Sequence, residues 1–189
     1  MASGFWNRSS SRMKRVMTIL ACFFFAILIT SAGVLTPLSA ADSNALNNEL
    51  NDLRASLKHM SIWESAAFIF KNNFVICLII FIPVAGPLFG SYALYNSGAA
   101  VAAESNSTES NPMHWSAIAV FFSSFILPHA LLEFIAYSTA LASSLWLTWR
   151  IMKRKGREEI TRTGKFVLIC AGLLLLAAFI EAYLLAAFT

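Results

Sequence analysis

Residues 128–149 read PHALLEFIAYSTALASSLWLTW. Proline is at home in the first turn of a helix and pushes the residue before it out of the α region, so a helix should start at Pro128. About 22 residues at 1.5 Å each give roughly 33 Å, the thickness of bilayer hydrocarbon, and the run reads as a spanning helix. The apolar block around it, residues 114–149, would make a straight helix of about 54 Å, too long for one pass. The piece before Pro128, residues 115–127, is too short to cross and reads as interfacial or re-entrant. Inside the span, His129 and Glu133 lie one turn apart. Charge at membrane depth is costly, so such residues face a protein interior or a water-filled cavity and commonly have a task.

Composition agrees with a membrane protein. Of 189 residues, 58% are hydrophobic and only 13% charged, and the mean hydropathy is +0.65. A soluble domain carries about 25% charged residues. Cys22, Cys77 and Cys170 all lie in apolar runs with no CxxC or zinc spacing and read as packing residues. The fold class expected is all-α, a polytopic helix bundle of about five spanning helices.

Four stretches divide the chain. Residues 1–15 form a basic tail with Arg8, Arg12, Lys14 and Arg15. Residues 16–37 hold the first transmembrane helix. Ser39-Ala40-Ala41 resembles a signal-peptidase site, but the apolar run of about 21 residues exceeds a usual signal core and favours an uncleaved anchor. Residues 38–65 read as an external amphipathic helix, with Asp42 or Ser43 as N-cap and Leu46, Leu50, Leu53, Leu57 and Met60 as its apolar seam. That seam lies on the membrane, on the rest of the protein or in a short coiled coil with a partner.

Residues 66–189 form the membrane domain. Its first block, residues 66–103, would be about 57 Å long if straight. Pro83, Gly86 and Pro87 interrupt it, which fits a tight hairpin of two passes better than one kinked pass. A short loop, residues 104–112, follows with two acids, no Lys or Arg and the glycosylation sequon Asn106-Ser-Thr108. Residues 150–165 form a basic loop before the last span, residues 166–187. The tail and this loop together hold eleven of the 14 Lys and Arg residues, which assigns both to the cytoplasm. The expected result is a plasma-membrane protein with its N-terminus cytoplasmic and its C-terminus extracytoplasmic.

This topology brings polar residues to one depth. Glu133 is 16 residues from Trp149 and Glu181 is 15 from Phe166, about 24 and 22 Å from the cytoplasmic ends of their helices. His129 falls one turn beyond Glu133, Asn72 and Asn73 begin the hairpin on the same side, and Asn96 is near its outer end. The face below His129 and Glu133 continues through Ala136, Ala140 and Ser144. That below Glu181 runs through Ala178, Ala177, Leu174 and Cys170. Small residues allow close helix approach. The cluster of His129, Glu133, Glu181, Asn72, Asn73 and Asn96 reads as a polar clasp fixing helix register, or as a proton or cation relay or ligand pocket. One His and two Glu fall short of a dedicated metal site. His59 and His114 lie at interfaces and read as solvated. GxSxG, HExxH and phosphate-loop patterns are missing from the sequence, so no catalytic residue is assigned and no cofactor implied. The basic loop fits anionic lipid head groups, not nucleic acid.

The segment Ile126-Leu-Pro-His129-Ala-Leu-Leu-Glu133 resembles the "LPHG…E" signature of the stage II sporulation protein M family. Leu176-Ala-Ala-Phe-Ile-Glu181-Ala-Tyr183 is similar to that family's closing "AALIEGF". Phe70-Lys-Asn72-Asn73 and Tyr95-Asn96-Ser-Gly98 echo its "NN" and "NG" elements. The matches run in order over about two thirds of the chain. Ala130 stands where the family usually has Gly, Ser97 interrupts the Asn–Gly pair, and Ala182 replaces the Gly after the terminal Glu. The resemblance implies a multi-span membrane fold. It also implies a platform role, since the family's namesake recruits a peptidoglycan-degrading complex during engulfment in spore formers. The expected function is a non-enzymatic membrane scaffold or accessory subunit holding other membrane or envelope proteins, in a larger complex or homo-oligomer. The alternative is a small transporter or channel-like protein using the His/Glu cluster.

Overall fold

A computed structural model describes residues 11–106, 116–124, 127–154 and 156–188. The basic tail through residue 10, residues 107–115 (with Thr108 of the sequon, His114 and Trp115) and Ile126 lie outside the described residues. Every element described is a helix: α1 (Ser11–Val34), α2 (Ala40–Lys58), α3 (Ile62–Ile80), α4 (Ala85–Ser105), α5 (Ala117–Ser124), α6 (Pro128–Met152) and α7 (Gly156–Phe188).

The helix starts follow local chemistry. The N-cap of α2 is Ser39, not Asp42 or Ser43: its Oγ accepts from the Asp42 N–H at 3.2 Å. Asp42 instead sits in the first turn, where a carboxylate meets the positive end of the helix dipole. α3 begins at Ile62, earlier than the expected residue 66, because Ser61 and Glu64 form a capping box. Ser61 N–H donates to Glu64 Oε2 at 2.8 Å and Ser61 Oγ accepts from Glu64 N–H at 3.3 Å. Pro128 takes the first position of α6 after an extended Leu127 (φ −79°, ψ 122°), as its fixed φ favours.

The proline-rich break at residues 81–84 is a turn. Ala85 N–H donates to Pro83 O at 2.8 Å around Val84, whose φ of 66° and ψ of −57° make a strained γ-turn. Pro87 lies in the first turn of α4, where its missing N–H costs nothing. The chain then doubles back: Asn47 Nδ2 on α2 donates to Ala103 O at the far end of α4 at 3.1 Å, while α3 starts four residues after α2 ends. Both outer ends of the hairpin therefore lie beside α2. Arg54 on α2 also pairs with Glu104. In the apolar seam of α2, Leu46, Leu50, Leu57 and Met60 are half-buried and Leu53 is exposed.

Four helices are long and apolar enough to cross a membrane: Arg12–Val34, Ile62–Ile80, Pro128–Met152 and Glu159–Ala187. α4 has the length, at 21 residues, but Gly86, Gly90, Ser91, Asn96, Ser97 and Gly98 dilute its hydropathy and it is not among them. It packs instead against α1. Gly33 of α1 and Gly98 of α4 make that crossing tight: a Cβ on Gly98 would lie 2.0 Å from Thr30 O, and one on Gly33 2.1 Å from Tyr95 O. α6 packs mainly on α7, and α7 on α3. Their shared core includes Cys77, Ile80, Ala136, Ala140, Cys170 and Leu174, all completely buried. Ser144, also buried, donates from Oγ to Ile82 O at 2.7 Å and holds the hairpin turn against α6. All three cysteines are buried free thiols, and Cys170 Sγ donates to Ala136 O at 3.4 Å.

The basic connection differs most from expectation. α6 runs on to Met152 and α7 starts at Gly156, so most of residues 150–165 are helical. The stretch includes a buried carboxylate in the first turn of α7, Glu159, described below. The short α5 packs on α4 and α1, and its Phe121 is buried.

Candidate functional site

Two polar assemblies lie at opposite ends of the bundle. The first is built on α6, where Pro128 at the helix start fixes the directions of His129 and Glu133. Glu133 Oε1 accepts a hydrogen bond from Asn73 Nδ2 on α3 at 2.5 Å. Glu181 on α7 lies within electrostatic reach of Glu133, and the Tyr137 side chain, one turn further along α6, is within reach of both carboxyls. Three helices thus meet around one pair of acids.

His129 takes a different direction. It lines a cavity of about 700 Å³ together with Glu181, Arg54, Lys58 and Ser65, between the end of α2, the start of α3, the start of α6 and the end of α7. Apolar walls come from Leu57, Leu127, Leu184 and Leu185. His129 Nδ1 is buried without a hydrogen-bond partner among the described residues. Glu181 therefore belongs to both features, lining the cavity and lying within electrostatic reach of Glu133.

Of the residues singled out from sequence, Asn73 and Glu133 come together, and His129 and Glu181 share the cavity. Asn72 does neither: it is exposed on the outer side of α3. Asn96 is half-buried on α4, and no hydrogen bond among the described residues joins it to Glu133. Pro83 and Pro87 serve the turn and Pro128 the helix start. The small faces of α6 and α7 pack as their spacing implies, with Ala136, Ala140, Ala177 and Ala178 completely buried.

The second assembly is one that sequence reasoning missed. Glu159, 1% exposed, receives two hydrogen bonds from Arg15 of α1, Nη1 to Oε1 at 2.6 Å and Nη2 to Oε2 at 2.7 Å. Arg150 Nε of α6 lies 3.6 Å from Oε2. The Arg15 guanidinium also sits 4.7 Å above the Trp146 ring, and Trp146 Nε1 donates to Thr18 Oγ1 at 3.1 Å. One carboxylate thereby joins α1, α6 and α7. Its only sequence signal was an acid pair, Glu158-Glu159, within a run of seven cations. That Glu159 turns inward depends on the path of α7. Glu133 and Arg150 are 17 residues apart on α6, about 26 Å, so the two assemblies clamp the two ends of the bundle.

Chemically, the outer cluster can bridge helices and hold or exchange a proton, and its cavity can admit a ligand. A sequence model of the family described as Stage II sporulation protein M matches residues 17–184, most of the chain, and the protein belongs to that family. Comparisons with curated proteins and with solved structures return no match.

Proposed function

We propose that this member of the stage II sporulation protein M family is a non-enzymatic integral membrane scaffold or accessory subunit that holds partner proteins, envelope components among them. The observation that carries the reading is the Asn73–Glu133 hydrogen bond at 2.5 Å. It commits the most distinctive intramembrane carboxylate to joining α3 with α6. Satisfied polar contacts of this kind fix helix register without turning anything over. In the proposed topology α1, α3, α4, α6 and α7 all cross, α5 is re-entrant and α2 lies on the extracytoplasmic side. The basic residues at the α6–α7 connection and in the tail mark the cytoplasm, which leaves the C-terminus outside. Outward-facing Phe24, Leu28, Leu88 and Leu168 then meet lipid or a partner's helices. α1 is a packed member of the bundle through Cys22, Ala26 and Thr30, which supports its retention as an anchor.

A second reading, a small proton or cation transporter, is favoured by Glu181, which faces the cavity and lies within reach of Glu133. Glu133→Gln, Glu181→Gln and the double variant separate the two. Glutamine keeps the Oε1 acceptor for Asn73, places an NH₂ donor where the second oxygen was and cannot ionise. A scaffold keeps its fold and its cross-linked envelope partners in all three variants, and wild-type proteoliposomes carry no cation or proton flux. Flux in wild type that disappears in folded glutamine variants refutes the scaffold reading and establishes the transporter.

A further inference from the structure

We propose that the cavity between α2, α3, α6 and α7 is a binding site for an anionic glycerophospholipid. The site is amphipathic in the sense such a ligand needs. Arg54 and Lys58, one turn apart near the end of α2, line it with Glu181; Arg54 is ion-paired with Glu104, which leaves Lys58 as the cation for a ligand. Lys58 is exposed and has no ion-pair partner among the described residues. The Glu104 pairing anchors the Arg54 guanidinium at the cavity edge. The walls are apolar, and Ile62, Leu127 and Leu185 are each about two-fifths exposed, so the cavity surface continues into the lipid-facing surface of the bundle. A water-soluble anion would have no use for those walls, and a neutral lipid none for the Lys58 ammonium.

The third requirement is a partner for the buried polar group. Native proteins rarely leave a buried nitrogen without a hydrogen bond, yet His129 Nδ1 has none among the described residues and its ring lines the cavity. The neutral imidazole nitrogen either donates or accepts, according to tautomer. The ring as a whole is only half-buried, and a rotation that turns Nδ1 toward the cavity would offer it a lipid's ester or hydroxyl oxygens. The volume of about 700 Å³ lies within the range of roughly 300–1,000 Å³ typical of small-molecule sites. It suits a phosphate, a glycerol backbone and the first part of an acyl chain, with the rest of the chain in the bilayer. The inference stands apart from the scaffold reading, because the cavity binds lipid or fails to whether or not proteins are held.

The test is native mass spectrometry of the full chain in a mild non-ionic detergent. The probes are dioleoyl phosphatidylglycerol, dioleoyl phosphatidylcholine and inorganic phosphate. Phosphatidylglycerol should be retained over phosphatidylcholine, and Lys58→Gln should weaken that preference about fivefold, as expected for one juxtamembrane charge. Ala186→Trp fills the cavity from an exposed position without removing a charge and should abolish retention. Lys153→Gln, an exposed cation at the other end of the bundle, should change nothing. Equal retention of the two lipids, or retention insensitive to both Lys58→Gln and Ala186→Trp, overturns the proposal. Displacement of phosphatidylglycerol by equimolar inorganic phosphate assigns the site to the free anion and overturns it as well. Lys58→Gln removes an exposed side chain and keeps the question answerable if the tryptophan variant does not fold.

Discussion

Replacing Glu159 by glutamine should destabilise the bundle more than any other single-atom change in it. The carboxylate is 1% exposed and takes both Nη atoms of Arg15, at 2.6 and 2.7 Å, with Arg150 Nε at 3.6 Å. Glutamine keeps one acceptor oxygen but turns an NH₂ donor toward guanidinium donors. Two cations are then left with side chains only 13% and 23% exposed. Breaking a buried pair by removing one partner costs about 3–5 kcal/mol, because the remaining charge is stranded. The partial hydration of both arginines places Glu159→Gln near the lower end, about 3 kcal/mol, or roughly a hundredfold in the folded-to-unfolded ratio. The reciprocal Arg15→Gln should cost less, since Glu159 keeps Arg150. The double variant should cost less than the sum by about 2 kcal/mol, within the range of coupling for residues in contact. The assay is equilibrium unfolding in mixed micelles, followed by circular dichroism and by fluorescence of Trp146 and Trp149 beside the clasp. A loss for Glu159→Gln below about 0.5 kcal/mol, or an additive double variant, would mean that the carboxylate does not hold α1, α6 and α7 together.

The glycine crossing and the hairpin turn give two further expectations. Gly98→Ala would bring a Cβ to 2.0 Å from Thr30 O and 2.9 Å from Val34 N. α1 and α4 would have to part by more than 1 Å, at an overpacking cost of about 1–3 kcal/mol or more. Gly172→Ala, which meets nothing within 4 Å, should be neutral or stabilising in the same unfolding assay, and equal behaviour of the two would sink the crossing. Val84→Gly should stabilise by about 1 kcal/mol, because glycine adopts the positive φ of 66° without strain. The valine side chain is 65% exposed and its backbone N–H keeps its bond to Thr148 Oγ1 at 3.0 Å. A lowered unfolding midpoint for this variant would mean that the side chain contributes more than the strain costs.

Much of the site was legible because its signals are local. Proline sterics set the start of α6 at Pro128, and helical spacing alone put Ala136, Ala140 and Ser144 on the buried face below Glu133. Equal depth on neighbouring helices brought Asn73, Glu133 and Glu181 into one cluster. Depth cannot say which way a side chain turns about its helix, so adjacent Asn72 and Asn73 looked equivalent. One rotation of about 100° separates them, and only Asn73 faces Glu133. The same limit hid the divergence of His129 from Glu133: four residues apart leaves an angular offset, and the cavity beside α7 takes up His129. The S-x-x-E pattern at Ser61–Glu64 was a local signal that would have started α3 correctly.

The amino-acid order alone makes the chain a helical membrane protein, fixes where its apolar runs break, and sets which helix faces are small enough to pack. Those follow from hydropathy, run length and backbone sterics, all properties of neighbouring residues. Long-range packing sets Glu159 against Arg15, 144 residues away, in the first turn of a helix that begins at Gly156. The structure likewise decided that Gly33 and Gly98 let α1 and α4 touch backbone to backbone, and that His129 and Glu181 share a cavity with cations from α2. Each is a contact between distant segments, whose energy depends on how helices rotate and approach, and no local pattern encodes that geometry.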